Sequence, residues 1–129
     1  MDTPKVAVSW GELLDKLTIL QIKLENISIK SALDNIEREY TQLQVIFSKN
    51  ISEDSGANKL MMELKEVNPK LWDIEDKIRD KERKKIFDNE FIQLARSVYI
   101  TNDERSRIKR RINDMLGSEL VEEKSYADY

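Results

Sequence analysis

The sequence predicts an all-α protein, an antiparallel helical bundle of about five helices, on three observations. Apolar residues recur at spacings of three and four along most of the chain, the pattern of helices that bury one face. Gly 3 and Pro 2 are too few to punctuate an all-β chain of 129 residues. Hydrophobic residues at 40% beside charged residues at 36% describe solvated helices around a core rather than a disordered chain. This length matches one hydrophobic core, so residues 1–129 are expected to form a single domain.

Residues 1–8 contain Pro4 and alternate only weakly, which predicts an extended lead-in. Ser9-Trp10-Gly11-Glu12 reads as a capping box, its hydroxyl and carboxylate meeting orphan amide groups at a helix start. Behind it Trp10, Leu13, Leu17, Leu20, Leu24 and Ile27 keep a heptad seam, so a first helix is expected over about 10–28. Ile19 and Ile22 lie off that seam. The helix is therefore either central or carries a second face, edged by Asp15 and Thr18, that meets another subunit.

The next series, Leu33, Ile36, Tyr40, Leu43 and Phe47, is out of phase with the first, and a cap near Ser31 predicts a reversal into an antiparallel second helix. Residues 48–58 read as a loop. Leu60, Leu64, Val67, Leu71, Ile74 and Ile78 form a third seam that passes through Pro69. The missing N–H and the ring's clash with the preceding turn predict a kink or short break near Pro69. A fourth helix is expected from Asp88, burying Phe91, Leu94, Ala95 and Val98. Thr101-Asn102-Asp103-Glu104 reads as another capping box, opening a fifth helix through Ile108, Ile112 and Leu116 that stops at Gly117. Residues 118–129 are expected to form a loosely held acidic tail. Trp10 and Trp72 occupy or flank seams and are read as packing residues.

The chain has no Cys and no His, which removes disulfides, thiol nucleophiles, His-based triads and Cys/His zinc sites. No apolar run approaches the roughly 18 residues of a membrane span and no signal-peptide pattern opens the chain, so a cytoplasmic location is expected. A net charge of −3 and the lack of an aromatic ladder argue against nucleic acid as a partner. The basic stretches Lys81–Lys85 and Arg105–Arg111 instead read as solvated, salt-bridged faces. No cofactor is expected.

Two constellations carry candidate chemistry. Arg96, Tyr99, Thr101, Asn102, Arg105 and Lys109 cluster around the junction of the expected fourth and fifth helices. Free amide groups at a helix start, with an Arg and a Tyr hydroxyl, suit a phosphate or carboxylate. The structural alternative is a capped turn whose Arg96 or Arg105 pairs with Glu12 or Asp15 on the first helix. Glu63-x-x-Glu66 and Asp73-x-x-Asp76 each set two carboxylates on one helical face, as magnesium-dependent helical nucleotide hydrolases do, although such pairs also arise by chance among 25 acids.

Four stretches go beyond composition. They are Ser9-Trp10-Gly11-Glu12-Leu13-Leu14-Asp15-Lys16-Leu17-Thr18-Ile19-Leu20, Leu71–Asp76, Leu94-Ala95-Arg96-Ser97-Val98-Tyr99-Ile100-Thr101-Asn102-Asp103-Glu104-Arg105 with Lys109–Asn113, and Leu120–Tyr126. Together they resemble an uncharacterised family of small helical bacterial and phage proteins, a domain of unknown function. The resemblance covers nearly the whole chain and implies no activity and no catalytic residue, so whether the protein is an enzyme stays open. The first functional expectation is a non-enzymatic helical adaptor that self-associates or binds a protein partner. The second is a small anion- or sugar-nucleotide-binding protein using the Arg96–Lys109 cluster, and the third a carboxylate-metal nucleotide hydrolase.

Overall fold

The Ser9 hydroxyl accepts a hydrogen bond from the Glu12 amide at 3.1 Å, and the chain turns there from extended backbone into its first helix. A computed structural model describes all 129 residues as four helices: α1 (Trp10–Asn26), α2 (Lys30–Asn50), α3 (Ala57–Lys84) and α4 (Asn89–Leu116). There is no strand. The protein is all-α, with four helices in place of the expected five.

The reversal after α1 occupies Ile27–Ile29, and α2 begins at Lys30 without a side-chain cap; Ser31 already lies inside its first turn. The loop before α3 is confined to residues 51–56. Asp88 caps α4 by accepting from the Phe91 amide at 3.0 Å. Gly117 ends that helix with φ at 62°, a left-handed value that glycine adopts without a Cβ clash.

One expected helix boundary is corrected, and the short break allowed at Pro69 is absent. α3 runs without interruption through Pro69. The proline ring is exposed while Val67 and Asn68 before it are buried, so the chain gives up one backbone bond and keeps its core side chains in place. The Thr101–Glu104 segment opens no new helix, because α4 continues from Asn89 to Leu116. A capping residue needs non-helical backbone. Here Phe91, Leu94, Val98, Arg105, Ile108 and Ile112 all stay in one helical phase, and packing along that shared face holds Thr101 in the helix.

α3 and α4 form a hairpin whose arms, at 28 residues each, are about 42 Å long. α1 packs on α2, on α3 and on α4, whereas α2 packs on α1 alone. α1 is thus central in the bundle, one of the two readings of its off-seam face, with Ile22 buried and Ile19 half-buried. The core sits at the open end of the hairpin. Leu13, Leu14 and Leu17 of α1 meet Leu60, Leu64 and Val67 of α3 and Ile108 and Ile112 of α4, with Ile51 and Ala57 closing the bottom. Gly11 brings α1 against α4: a Cβ there would lie 2.6 Å from the Lys109 carbonyl oxygen.

Candidate functional site

Where α1 enters the hairpin it carries charge into the core. Asp15 is 1% exposed and Thr18 likewise, one turn apart on the face that meets α3 and α4. An unpaired carboxylate at that depth would cost several kcal/mol. Three residues meet it. Asn68 of α3 donates its amide to Asp15 Oδ1 at 2.9 Å and to Thr18 Oγ1 at 2.6 Å. Arg105 of α4 donates Nε to Asp15 Oδ1 at 2.9 Å and Nη2 to Asp15 Oδ2, a two-pronged pairing. Thr18 in turn donates to the Asp15 carbonyl at 2.7 Å. The hydrogen bonds to Asp15 raise the Arg105 guanidinium further above its usual value, against the opposing effect of burial.

One turn further along α4, Lys109 is also buried. Its ammonium donates to Glu12 Oε2 at 2.9 Å and to Glu122 Oε2 at 3.1 Å. Burial pulls the Lys109 value down, and the hydrogen bonds to Glu12 and Glu122 more than offset it, leaving the group above its ordinary range. Glu12 thus faces Lys109 rather than completing its capping box. The Gly11 amide donates to Asn113 Oδ1 at 2.7 Å and the Trp10 amide to Ser118 Oγ at 3.2 Å. Three successive turns of α4, with Ser118 just beyond its end, are therefore tied to α1 by polar contacts.

Above this junction lies an open groove of about 430 Å³. Ile19, Ile22, Leu71, Trp72 and Val98 form its walls, and Asn68, Asn102 and Arg105 supply its polar end. Ile19 and Ile22, the residues off the seam of α1, are here the wall that α1 contributes. Glu75, Asp76 and Arg79 stand at its margin, with Arg79 Nε 3.3 Å from Glu75 Oε2.

The residues expected to hold an anion are divided between two faces of α4. Arg105 and Lys109 turn inward to Asp15 and Glu12, and Asn102 Oδ1 accepts from Arg105 Nη1 at 3.4 Å. Of the pairings expected across the bundle, Arg105 with Asp15 is formed. Arg96 and Tyr99 lie exposed; Arg96 reaches Gln93 at 3.4 Å, and Tyr99 packs edge-on against Tyr129 at 5.3 Å between ring centres. Thr101 sits within the continuous helix, so its backbone amide is not at a helix start.

Among the carboxylates, Glu63 pairs with Arg111 at 3.3 Å and Asp73 with Lys77 at 2.9 Å, while Glu66 and Asp76 are exposed. The two pairs are ten residues apart on α3, about 15 Å along its axis. No group of three or more acidic side chains converges as a metal ion would need. Asn68 and Trp72 are the site residues that sequence reasoning missed. Asn68 sits beside Val67 in the third seam, and a carboxamide in the buried stretch of a helix is itself a signal of a buried polar partner.

No curated protein and no solved structure matches the chain. Residues 4–129 match the model of a family of unknown function, DUF6165, and the match takes in α1, the hairpin and the segment that follows it. Because that match spans nearly the full length of the sequence, the chain belongs to the DUF6165 family.

Proposed function

We propose that this protein is a non-enzymatic helical interaction module that self-associates through the outer half of the α3–α4 hairpin. One observation carries the reading. From Pro69 to Arg107 no residue is buried, although α3 carries Ile74 and Ile78 there and α4 carries Phe91, Ile92, Leu94 and Ile100. Phe87 at the tip is 55% exposed, and Ile92 and Ile100 on α4 are 51% and 44% exposed. Phe87 and Phe91 pack edge-to-face at 5.2 Å, giving the tip an aromatic surface.

The area supports a second copy as the occupant. The protein exposes 9246 Å². A compact monomer of 15.2 kDa is expected to expose about 7,100 Å². Part of the excess belongs to the extended ends, residues 1–8 and 118–129. The remainder is shared by the uncovered arm and by α2, of which only Ile36 is buried, and a standard interface takes only about 800 Å² from each partner. Two arms side by side would form a four-helix bundle, which buries the faces that a two-helix hairpin leaves open.

Light scattering coupled to size exclusion tests the reading. The expected result is a dimer of about 30 kDa, twice the chain mass, at micromolar concentration. Phe87→Ser and Ile92→Asp, both at exposed positions, are expected to weaken association by about tenfold or more and to leave helix content unchanged. A monomer at every concentration up to several hundred micromolar overturns the reading.

A further inference from the structure

We infer that the groove between α1 and the hairpin is a binding site for an uncharged planar heterocycle with an amide-like edge, the class that includes the nucleobases. Its volume of about 430 Å³ is within the usual range for small-molecule sites. The walls are apolar side chains from three helices, and Trp72 gives one of them an aromatic face.

The polar end has donors and an acceptor in excess of what the fold uses. Asn68 is 4% exposed, and its amide nitrogen is fixed by Asp15 and Thr18. That bonding leaves Oδ1 as an acceptor with no donor from the protein, yet not sealed off, and the groove is the space that Asn68 borders. Beside it, Arg105 Nη1 makes only the 3.4 Å contact to Asn102, and the Asn102 amide nitrogen donates to no protein group. One acceptor and two donors, from residues lining the same largely apolar slot, match the donor–acceptor edge of a lactam or aminopyrimidine.

Charge decides against a phosphorylated ligand. Arg105 is neutralised by Asp15, and Arg79 is paired with Glu75. Asp76, with no cation paired to it, leaves the margin with an excess of negative charge. The groove takes much of its lining from the base of the same arm, but Phe87, Ile92 and Ile100, which carry the self-association reading, do not line it, so repeating the titrations on Phe87→Ser separates the two proposals.

The chain has two tryptophans, so Trp10→Phe makes Trp72 the only indole and its fluorescence a report on the groove. The probes are adenosine, guanosine, cytidine, uridine and their 5′-monophosphates, each titrated to about 5 mM and repeated by calorimetry on the wild-type chain. Saturable quenching by at least one nucleoside is expected. Val98→Phe, which fills the groove, is expected to weaken it by at least about tenfold, and Asn102→Ala, which removes one donor, by about five- to tenfold. The 5′-phosphate is expected to add no affinity. Ile19→Phe replaces Val98→Phe should the latter lose its helical circular dichroism.

The proposal is overturned if no probe saturates by either method, or if binding survives a folded groove-filling variant. It is also overturned if the monophosphates bind about tenfold more tightly than the nucleosides, or if indole binds as well as the nucleosides and Asn102→Ala changes nothing.

Discussion

Asp15 and Arg105 are partners of unequal burial, and the inequality has a measurable consequence. The carboxylate is 1% exposed, whereas the guanidinium side chain retains 25% exposure. Arg105→Ala strands a buried charge and is expected to cost about 3–5 kcal/mol. Asp15→Ala leaves a cation that can turn to water, and its expected cost is smaller, about 1–3 kcal/mol. Urea unfolding of both variants checks the order, and a larger loss for Asp15→Ala refutes the account. The pair was legible in the sequence as one of several cross-bundle pairings between the first helix and the 96–109 stretch. Which pairing forms was not legible. Arg105 falls in the inward phase of α4 with Val98 and Ile108, whereas Arg96 points outward, and a broken fourth helix hides that phase.

Four helices were each marked by apolar periodicity, and the starts at Ser9 and Asp88 were readable because both side chains cap. The false boundaries came from local signals that packing overrides. Thr101-Asn102-Asp103-Glu104 has the residues of a capping box but lies on a helix whose inner face is held by α1 and α3. Pro69 has the residue type of a break, but the helix continues through it from Ala57 to Lys84. Pro69→Ala therefore restores a backbone hydrogen bond without disturbing an exposed position. A gain of about 1–2 kcal/mol is expected, smaller than the roughly 3 kcal/mol proline penalty because the unfolded chain also gains freedom. Thermal melting checks it, and a loss of stability refutes it. At the far end of the hairpin Lys81, with a side chain only 17% exposed, joins Asp88 at 3.0 Å and Glu90 at 3.1 Å. This link across the turn holds the tip together where no core does.

On the scale of the whole molecule, residues 118–129 have no regular structure but run back along α4. Glu122 and Glu123 pair with Lys109 and Arg110, each at 3.1 Å, and the Tyr129 hydroxyl donates to Asp103 at 2.5 Å. Hydrogen bonds from Lys124 and then Lys109 lower the Glu122 value below its usual 4.5. A carboxylate lowered on folding stabilises above its unfolded value, and that contribution is lost as pH falls through the folded one. Glu122→Gln is therefore expected to flatten the fall in melting temperature below about pH 4.5. The effect is under about 1 kcal/mol, because the side chain is 43% exposed. An unchanged acid limb refutes the contact. The end of α4 and the start of the tail also close a long circuit: Gly11 binds Asn113 and Trp10 binds Ser118, partners 102 and 108 positions apart. A ribosome adding about 5–20 residues per second delivers α4 several seconds after α1. During that interval Asp15 lacks its counter-ion and Leu14 and Leu17 lack the Ile108 and Ile112 side of their core, so the nascent first helix is a ready client for a chaperone until the last one emerges.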